Sequence, residues 1–439
     1  MLNPLPAAAS PTRARYWVVV FAVTLAVITY IDRVCISKAA PLMQHDLGLT
    51  KQQMGYAFAA FGWAYALCEI PGGWLGDVIG PRKVLMRVVV MWSAFTAITG
   101  WTFNLLSLVV CRFLFGAGEA GCFPNLTKAF TLWLPPVERV PSQGIMWLSA
   151  RWGGAFTPLL VALVLSVVSW RWAFTLFGGI GVIWAVLFYR WFRDDPREHP
   201  AVNAGELALL HGTAEHAATH RAVPWRKLVS SHTVWLLWAQ YALISYSWYF
   251  YITWMPTYLD ESFPHLTAMQ RTLLNCIPLF FGGIGSIVCG LVSGRVARAM
   301  GSVGRARRAI GFVGLSCAAI MLLVAIQFRN PLLAILCVGL ASFCNDLSMP
   351  GAWGACMDVG GSFAGSLSGS MNMMGNIGGA LAPMAVPAIL AATNNNWNAN
   401  FWTFAGAYFL AAACWLFLDP VTPLEQQHQR RGPQTLESA

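Results

Sequence analysis

Seven ionisable residues stand inside long apolar runs: Asp32, Arg33, Glu69, Arg112, Glu119, Arg151 and Asp346. A charge at the centre of a membrane helix costs roughly 2.5–3.5 kcal/mol on insertion scales and usually marks a pathway. Left unpaired, the seven would cost about 20 kcal/mol together, more than a typical folding stability. They must therefore pair, hydrate or titrate. An arginine stays charged at any working pH and can fork two hydrogen bonds onto a carboxylate, whereas a carboxylate sheltered from water can carry a proton. The eight histidines (45, 199, 211, 216, 220, 232, 265 and 428) lie in loops or at span ends. The chemistry on offer is anion binding by arginine and proton carriage by carboxylate.

Spacing sharpens this. Arg112 and Glu119 are seven residues apart, which returns both to one helix face about 10.5 Å apart along the axis. That is too far for a direct ion pair and suits an anion-sized gap, although Arg112 could instead snorkel to the near interface. Asp32 and Arg33 follow a 16-residue apolar run that reaches only ~24 Å, short of a ~30 Å hydrocarbon core. The helix should continue through Val34–Ser37 and leave the pair inside; the alternative is an interfacial pair ending a short helix. Arg151 is either a second anion contact or a structural partner of Asp346 or Glu69. Four acids against three arginines leave the cavity near neutral, with Arg112 unsatisfied. Binding an organic anion adds negative charge, which protonation of Glu119 and Asp32 would offset.

The elements that position these groups follow from composition. Of 439 residues, 57% are hydrophobic and 10% charged, with mean hydropathy +0.57. Soluble chains carry about 25% charged residues, so a soluble enzyme is excluded. Twelve spans of ~20 residues would use about 240 apolar residues, close to the number present. The apolar runs fall at roughly 16–38, 52–74, 84–103, 106–131, 142–168, 170–192, 232–255, 270–294, 308–328, 331–354, 364–391 and 399–418. With the N-terminus inside, 19 of the 28 Lys and Arg residues sort to one side, including Arg13, Arg15, Arg82, Lys83, Arg139, Arg221, Arg305, Arg307, Arg430 and Arg431. This positive-inside asymmetry accounts for the net charge of +10 without nucleic acid, and puts both termini in the cytoplasm. The eleven cysteines form no Cys-x-x-Cys pair and read as small hydrophobes. No metal or cofactor is expected.

The polar stretch 193–231 divides the spans six and six. His211, Glu215, His216 and His220 within it could bind a metal, but a solvated linker is the simpler reading. The halves echo each other: Gly73-Trp-Leu-Gly-Asp77 with Gly290-Leu-Val-Ser-Gly294, Gly153-Gly154…Pro158 with Gly378-Gly379…Pro383, and Asp195-Pro196 with Asp419-Pro420. Echoes at nearly half the chain length indicate a duplicated six-helix unit. The expected domains are a bundle at 1–192, a cytoplasmic linker at 193–231, a bundle at 232–418 and a tail at 419–439. Gly116-Ala-Gly118-Glu-Ala-Gly121 matches a dinucleotide fingerprint, but it lacks the required strand and suits close helix packing.

Gly73-x3-Asp77-x2-Gly80-x-Arg82-Lys83 resembles the signature loop of the major facilitator superfamily, with Val78 in place of the usual basic residue. Arg112-x6-Glu119-Ala-Gly-x-Phe-Pro124, Trp133-x-Pro-x2-Glu138-Arg139, Trp170-Arg171-x2-Phe174, Tyr30-x-Asp32-Arg33 and Tyr65-x4-Ile70-Pro71 resemble its anion:cation symporter family. That family includes bacterial uptake systems for sugar acids and aromatic acids, sialin and the vesicular glutamate transporters. The resemblance implies a twelve-helix all-α membrane fold of two pseudo-symmetric bundles. It also implies that Arg112 binds the substrate anion, Glu119 and Asp32 couple protons with Arg33 modulating, and Asp77, Arg82 and Lys83 act as a latch. Topology signalling is the plainer reading of those last three.

In the second half Tyr246, Tyr249, Asn345, Ser370, Asn372 and Asn376 are polar cavity candidates. The expected substrate contacts are Arg112, Tyr30, Arg33, Tyr65, Arg151, Tyr249, Asn345, Asn372 and Asn376, with Gly73, Asp77, Gly80, Arg82 and Lys83 as the gating loop. The seventh span holds no arginine, which mildly favours a monocarboxylate. The expected function is proton-coupled import of an organic anion, a sugar acid or an aromatic acid, by a monomer in a bacterial inner membrane. Organophosphate/phosphate antiport, drug/proton efflux and a membrane sensor are the rivals.

Overall fold

The structure, a computed structural model, describes residues 10–210, 223 and 225–429. The linker histidines 211, 216 and 220 with Glu215, and Arg221, Arg430 and Arg431, lie outside the described residues. Among the described residues the fold is all-helical, with no strand. Twelve rods run back and forth. In the first half they are α1 (Tyr16–Leu47), α2 (Lys51–Ile79), α3 (Pro81–Thr99), α4 with α5 (Leu105–Glu119, Cys122–Trp133), α6 (Pro136–Val167) and α7 (Trp170–Trp191). Short helices α8 (Ala204–Leu209) and α9 (Trp225–Ser230) belong to the linker. The second half holds α10 (His232–Thr253) with a short α11 (Met255–Ser262), α12 (Ala268–Met300), α13 (Val303–Ala325), α14 with α15 (Pro331–Asp346, Met349–Gly360), α16 (Ala364–Ala392) and α17 (Trp397–Phe417); α18 (Leu424–Gln429) follows.

Several rods outrun their apolar cores, because polar helix ends project past the hydrocarbon. Length and hydropathy alone mark eight stretches, one of them the 62-residue run Pro331–Ala392 that holds two rods. The measure misses α2, which carries Glu69 and Asp77, α3, which opens on Arg82 and Lys83, and α10, rich in Trp and Tyr. The duplication reaches the caps. Thr50 opens α2 and Thr267 opens α12, each in a reciprocal capping box with a Gln three residues on.

The fourth and tenth rods are broken, which the apolar runs concealed. After Glu119, Gly121 turns left-handed (φ 85°) and Pro124 has no amide to bond back. A Cβ on Gly121 would stand 2.6 Å from the Cα of Gly72, so the break lies directly against α2. After Asp346, the chain makes a short turn at Leu347–Ser348 and restarts ahead of Pro350.

Two seams join the halves. A Cβ on Gly73 of α2 would meet the Gly365 carbonyl of α16 at 2.3 Å, and a Cβ on Gly144 of α6 would meet the Ser286 carbonyl of α12 at 2.6 Å. These are the repeat-related helix pairs, and small residues let the backbones touch. Leu159, Leu163, Leu410 and Phe417 are exposed on the outer faces, as lipid contact requires.

Candidate functional site

Asp32 and Arg33 are neighbours on α1, so their side chains diverge by about 100°. Arg33 turns into a central cavity whose lining includes Tyr30, Tyr65, Phe123, Trp147, Arg151, Tyr241, Trp248, Tyr249, Asn345, Asn372 and Asn376. Its Nε donates to Glu119 Oε1, and its guanidinium lies 4.4 Å from the Tyr65 ring centroid. Glu119, the last residue of α4, is fully buried, and its Oε2 has no partner among the described residues.

Asp32 points the other way, toward α3, where Trp92 Nε1 donates to its Oδ2 at 3.0 Å. Arg112 lies outside the cavity lining and is 2% exposed. It stacks 4.4 Å from Phe115 and 5.1 Å from Phe61, and makes no ion pair among the described residues. Neither Arg112 nor Glu119 lines the cavity, so their axial spacing does not become a gap facing it; Glu119 reaches the cavity only through its bond to Arg33.

Arg151 of α6 crosses to the second half. Its Nε and Nη2 bind Asp346 Oδ2 and Oδ1 at 2.7 and 3.1 Å, and Asn345 Nδ2 adds a 2.8 Å bond to Oδ1. The Trp248 ring covers the guanidinium at 4.1 Å. A second cross-half tie runs from Asn372 Nδ2 to Glu69 Oε1 at 2.7 Å, with Tyr65 OH 3.2 Å from the same nitrogen. Tyr249 OH donates to Asn376 Oδ1 at 3.1 Å.

The chain matches the profile of the Major Facilitator Superfamily over residues 22–383. It belongs to that superfamily. It is 34% identical over 411 residues to a probable sulfoacetate transporter of Cupriavidus necator, covering 92% of this chain and 94% of the relative. Identity is 30% over 392 residues to a D-galactonate transporter of Escherichia coli, covering 86% and 90%. A hexuronate transporter of Bacillus subtilis is 29% identical, covering 91% and 92%. Among solved structures, a proton:xylose symporter superposes with TM-score 0.73 at 13% identity, covering 94% of this chain and 98% of that one, a likeness of fold alone. This major facilitator chain is a multi-pass membrane transporter whose relatives carry organic anions, not an enzyme.

At the end of the transporter that carries the α2–α3 turn, bonds cross between the two halves. Asp77 accepts from the Gly365 and Ser366 amides at 3.0 and 2.6 Å, where the N-terminus of α16 favours an anion. Lys128 of α5 lies 3.2 Å from Asp77 and donates to the Ser362 carbonyl at 2.5 Å. Asp358 takes Arg139 from the first half at 2.6 Å and Arg307 from its own at 2.7 Å. Gly80 makes the α2–α3 turn with φ 86°. Arg82 stays within its half, donating to the Tyr189 carbonyl at 3.1 and 2.7 Å, and Lys83 is exposed.

Two polar candidates from the second half fall outside the cavity. Tyr246 lies 3.4 Å from Thr403 Oγ1 and packs on Phe404, and Ser370 accepts from Trp238 Nε1 at 3.0 Å. Sequence reasoning passed over Trp147, Phe123 and Tyr241. Trp147 stands four residues before Arg151 on one helix face, a spacing that could have found it.

Proposed function

We propose that this chain imports a small organic anion together with protons, opening the central cavity alternately to each side of the membrane. The Arg33–Glu119 pair carries the reading. While Glu119 is ionised it neutralises Arg33. An incoming carboxylate or sulfonate takes the guanidinium fork, and Glu119 then loses its counter-charge in a buried site. A lone buried carboxylate costs several kcal/mol, and taking up a proton removes that charge. Anion and proton therefore stabilise each other's binding, a reciprocal coupling.

Asp32 serves as a second protonation site. Its Oδ1 has no partner among the described residues, and Arg112, within electrostatic reach of both Asp32 and Glu119, keeps the region positive enough to attract an anion. Tyr30, Tyr65, Tyr249, Asn372 and Asn376 shape the cavity around the substrate. The basic end lies in the cytoplasm of a bacterial inner membrane, and the Asp77, Lys128 and Arg139 bonds hold an outward-facing state. Residues 1–192 and 232–418 rock against each other at the two glycine seams, the monomer being the working unit. The organic-anion relatives support this reading.

The test is uptake of labelled acids into proteoliposomes with and without an inward proton gradient. Gradient-driven accumulation that disappears in Arg33→Ala is the expected result. Exchange of sugar phosphate for preloaded phosphate, with no acid accumulated, would replace symport with antiport.

A further inference from the structure

Glu69 of α2 is a fully buried carboxylate that the coupling scheme above leaves unused. Glu119 and Asp346 each have an arginine, but no cation among the described residues forms an ion pair with Glu69. Its partners are neutral. Asn372 Nδ2 of α16 donates to its Oε1 at 2.7 Å, and the Tyr65 hydroxyl, one turn back on α2, faces the same carboxylate. The titratable groups around it are Tyr65 and Cys68 on its own helix, Arg33 on α1, Glu119 on α4, Cys122 on α5 and Tyr249 on α10. Arg33 is the one cation among these, and its Nε is engaged by Glu119. Ionised Glu69 is therefore a buried charge with no counter-charge of its own, which is costly until a proton neutralises it.

The place of Glu69 decides what such a proton would do. A Cβ on Gly369 of α16 would meet the Glu69 carbonyl oxygen at 2.7 Å, so Glu69 stands in the seam where α2 and α16 touch, one turn from Gly73. Its bond to Asn372 crosses from the first half to the second. That bond is charge-assisted, roughly twice as strong as a neutral one, only while Glu69 is ionised. Asn372 and Tyr65 both line the central cavity, so a single side chain separates the carboxylate from that space.

Resting on the proton-coupled import reading above, we infer that Glu69 is a further proton-carrying residue, and that its proton governs the α2–α16 seam instead of the anion site. Ionised Glu69 holds Asn372, and the halves stay together at the basic end. A proton entering the cavity from the outer side adds to one carboxylate oxygen and leaves a neutral acid, whose bond to Asn372 is weaker. The halves then part toward the cytoplasm. There the proton leaves from the same oxygen, and the ionised carboxylate draws Asn372 back. Glu119 answers a different event, the loss of Arg33 to the anion. The two carboxylates thus tie protons separately to the seam and to the substrate.

Hydrogen–deuterium exchange of the purified full chain in lipid nanodiscs tests this with no acid present. Exchange is followed in the basic-end segments of α2 and α16 over a series of pH values, corrected for the intrinsic pH dependence of amide exchange. In the unmutated chain, seam opening should rise on acidification by about fivefold, the difference between a charged and a neutral hydrogen bond. Glu69→Gln keeps the bond to Asn372 but fixes it as neutral, so its exchange should stand near the acid level already at alkaline pH. Asn372→Ala removes the donor and should do the same, which keeps the test intact if one variant fails to fold. Asp77 holds its two amides at the same seam in every chain compared, so the difference between chains isolates Glu69. Identical exchange at every pH in the unmutated chain, or an undiminished pH response in a folded variant, overturns the assignment and leaves import coupled through Glu119 and Asp32. A pH-dependent seam in a chain that fails the uptake assay overturns import and the transport role of this proton, while the tie between the halves stands.

Discussion

Glu119 and Asp346 occupy the same place in two rods related by the internal duplication. Each is the last residue before its rod breaks, each is fully buried, and each binds an arginine that lines the central cavity. A helix C-terminus is the electronegative end of its dipole, so a carboxylate there is held by its arginine and not by the helix. One pair lies within the first half, while Arg151–Asp346 joins the two halves. In the reading proposed above, an anion that competes for Arg33 shifts the charge balance within the first half, and one that competes for Arg151 loosens the contact between the bundles.

Glu119→Gln keeps the side chain's shape and removes its ionisation. Accumulation driven by an inward proton gradient should fall to the level seen without one, while exchange of labelled for unlabelled anion persists. Proteoliposome flux measures both. Loss of exchange as well would assign Glu119 a structural role.

Arg151→Ala leaves Asp346 buried without its partner, and should destabilise the fold by about 3–5 kcal/mol, the usual cost of breaking a buried ion pair from one side. Adding Asp346→Asn should recover most of the lost thermal midpoint without recovering transport. A double variant no more stable than Arg151→Ala would mean that the guanidinium acts through packing on Trp248.

Gly48 and Gly121 both hold positive φ, 63° and 85°. A Cβ on Gly48 meets nothing within 4 Å, whereas on Gly121 it collides with Gly72. Gly48→Ala should cost only the left-handed backbone penalty of about 1–2 kcal/mol. Gly121→Ala must also push α5 from α2 and should lower the thermal midpoint further. Equal shifts would show that the α4–α5 break tolerates more space than its geometry allows.

Outside the membrane, Glu206 of α8 anchors the start of the chain. Thr12 Oγ1, the Ala14 and Arg15 amides and the Arg15 guanidinium all donate to it, at 2.5–3.1 Å. Burial pushes its carboxyl up, but these bonds outweigh burial and hold it below the ordinary value of 4.5. A carboxylate lowered on folding stabilises the fold fully above that ordinary value and loses the contribution as pH falls through the folded value. Glu206→Ala should therefore cost about 1–3 kcal/mol at pH 7, and its gap from wild type should shrink below about pH 4.5. Thermal unfolding across pH measures this; a gap constant down to pH 3 would refute it.

Composition, hydropathy and the half-length echoes determine the twelve-helix duplicated fold, because lipid leaves a spanning chain little choice but to satisfy its backbone within each helix. The intramembrane charges are legible for the same reason: each is costly where it stands, so its presence alone marks a site. Partnership is another matter. Arg33 meets Glu119 across 86 residues and Arg151 meets Asp346 across 195, and no periodicity along one helix encodes contacts between rods so far apart in the chain. Helical spacing puts Arg112 and Glu119 on one face, yet Glu119 bonds Arg33 of another rod and Arg112 stacks on Phe115. Tyr246 and Ser370 look as polar in sequence as Asn372, and only the rotation of α10 and α16 against their neighbours decides which of them meets the cavity. Tertiary packing selects the partners because a buried charge goes to whatever opposite charge the assembled rods bring within reach.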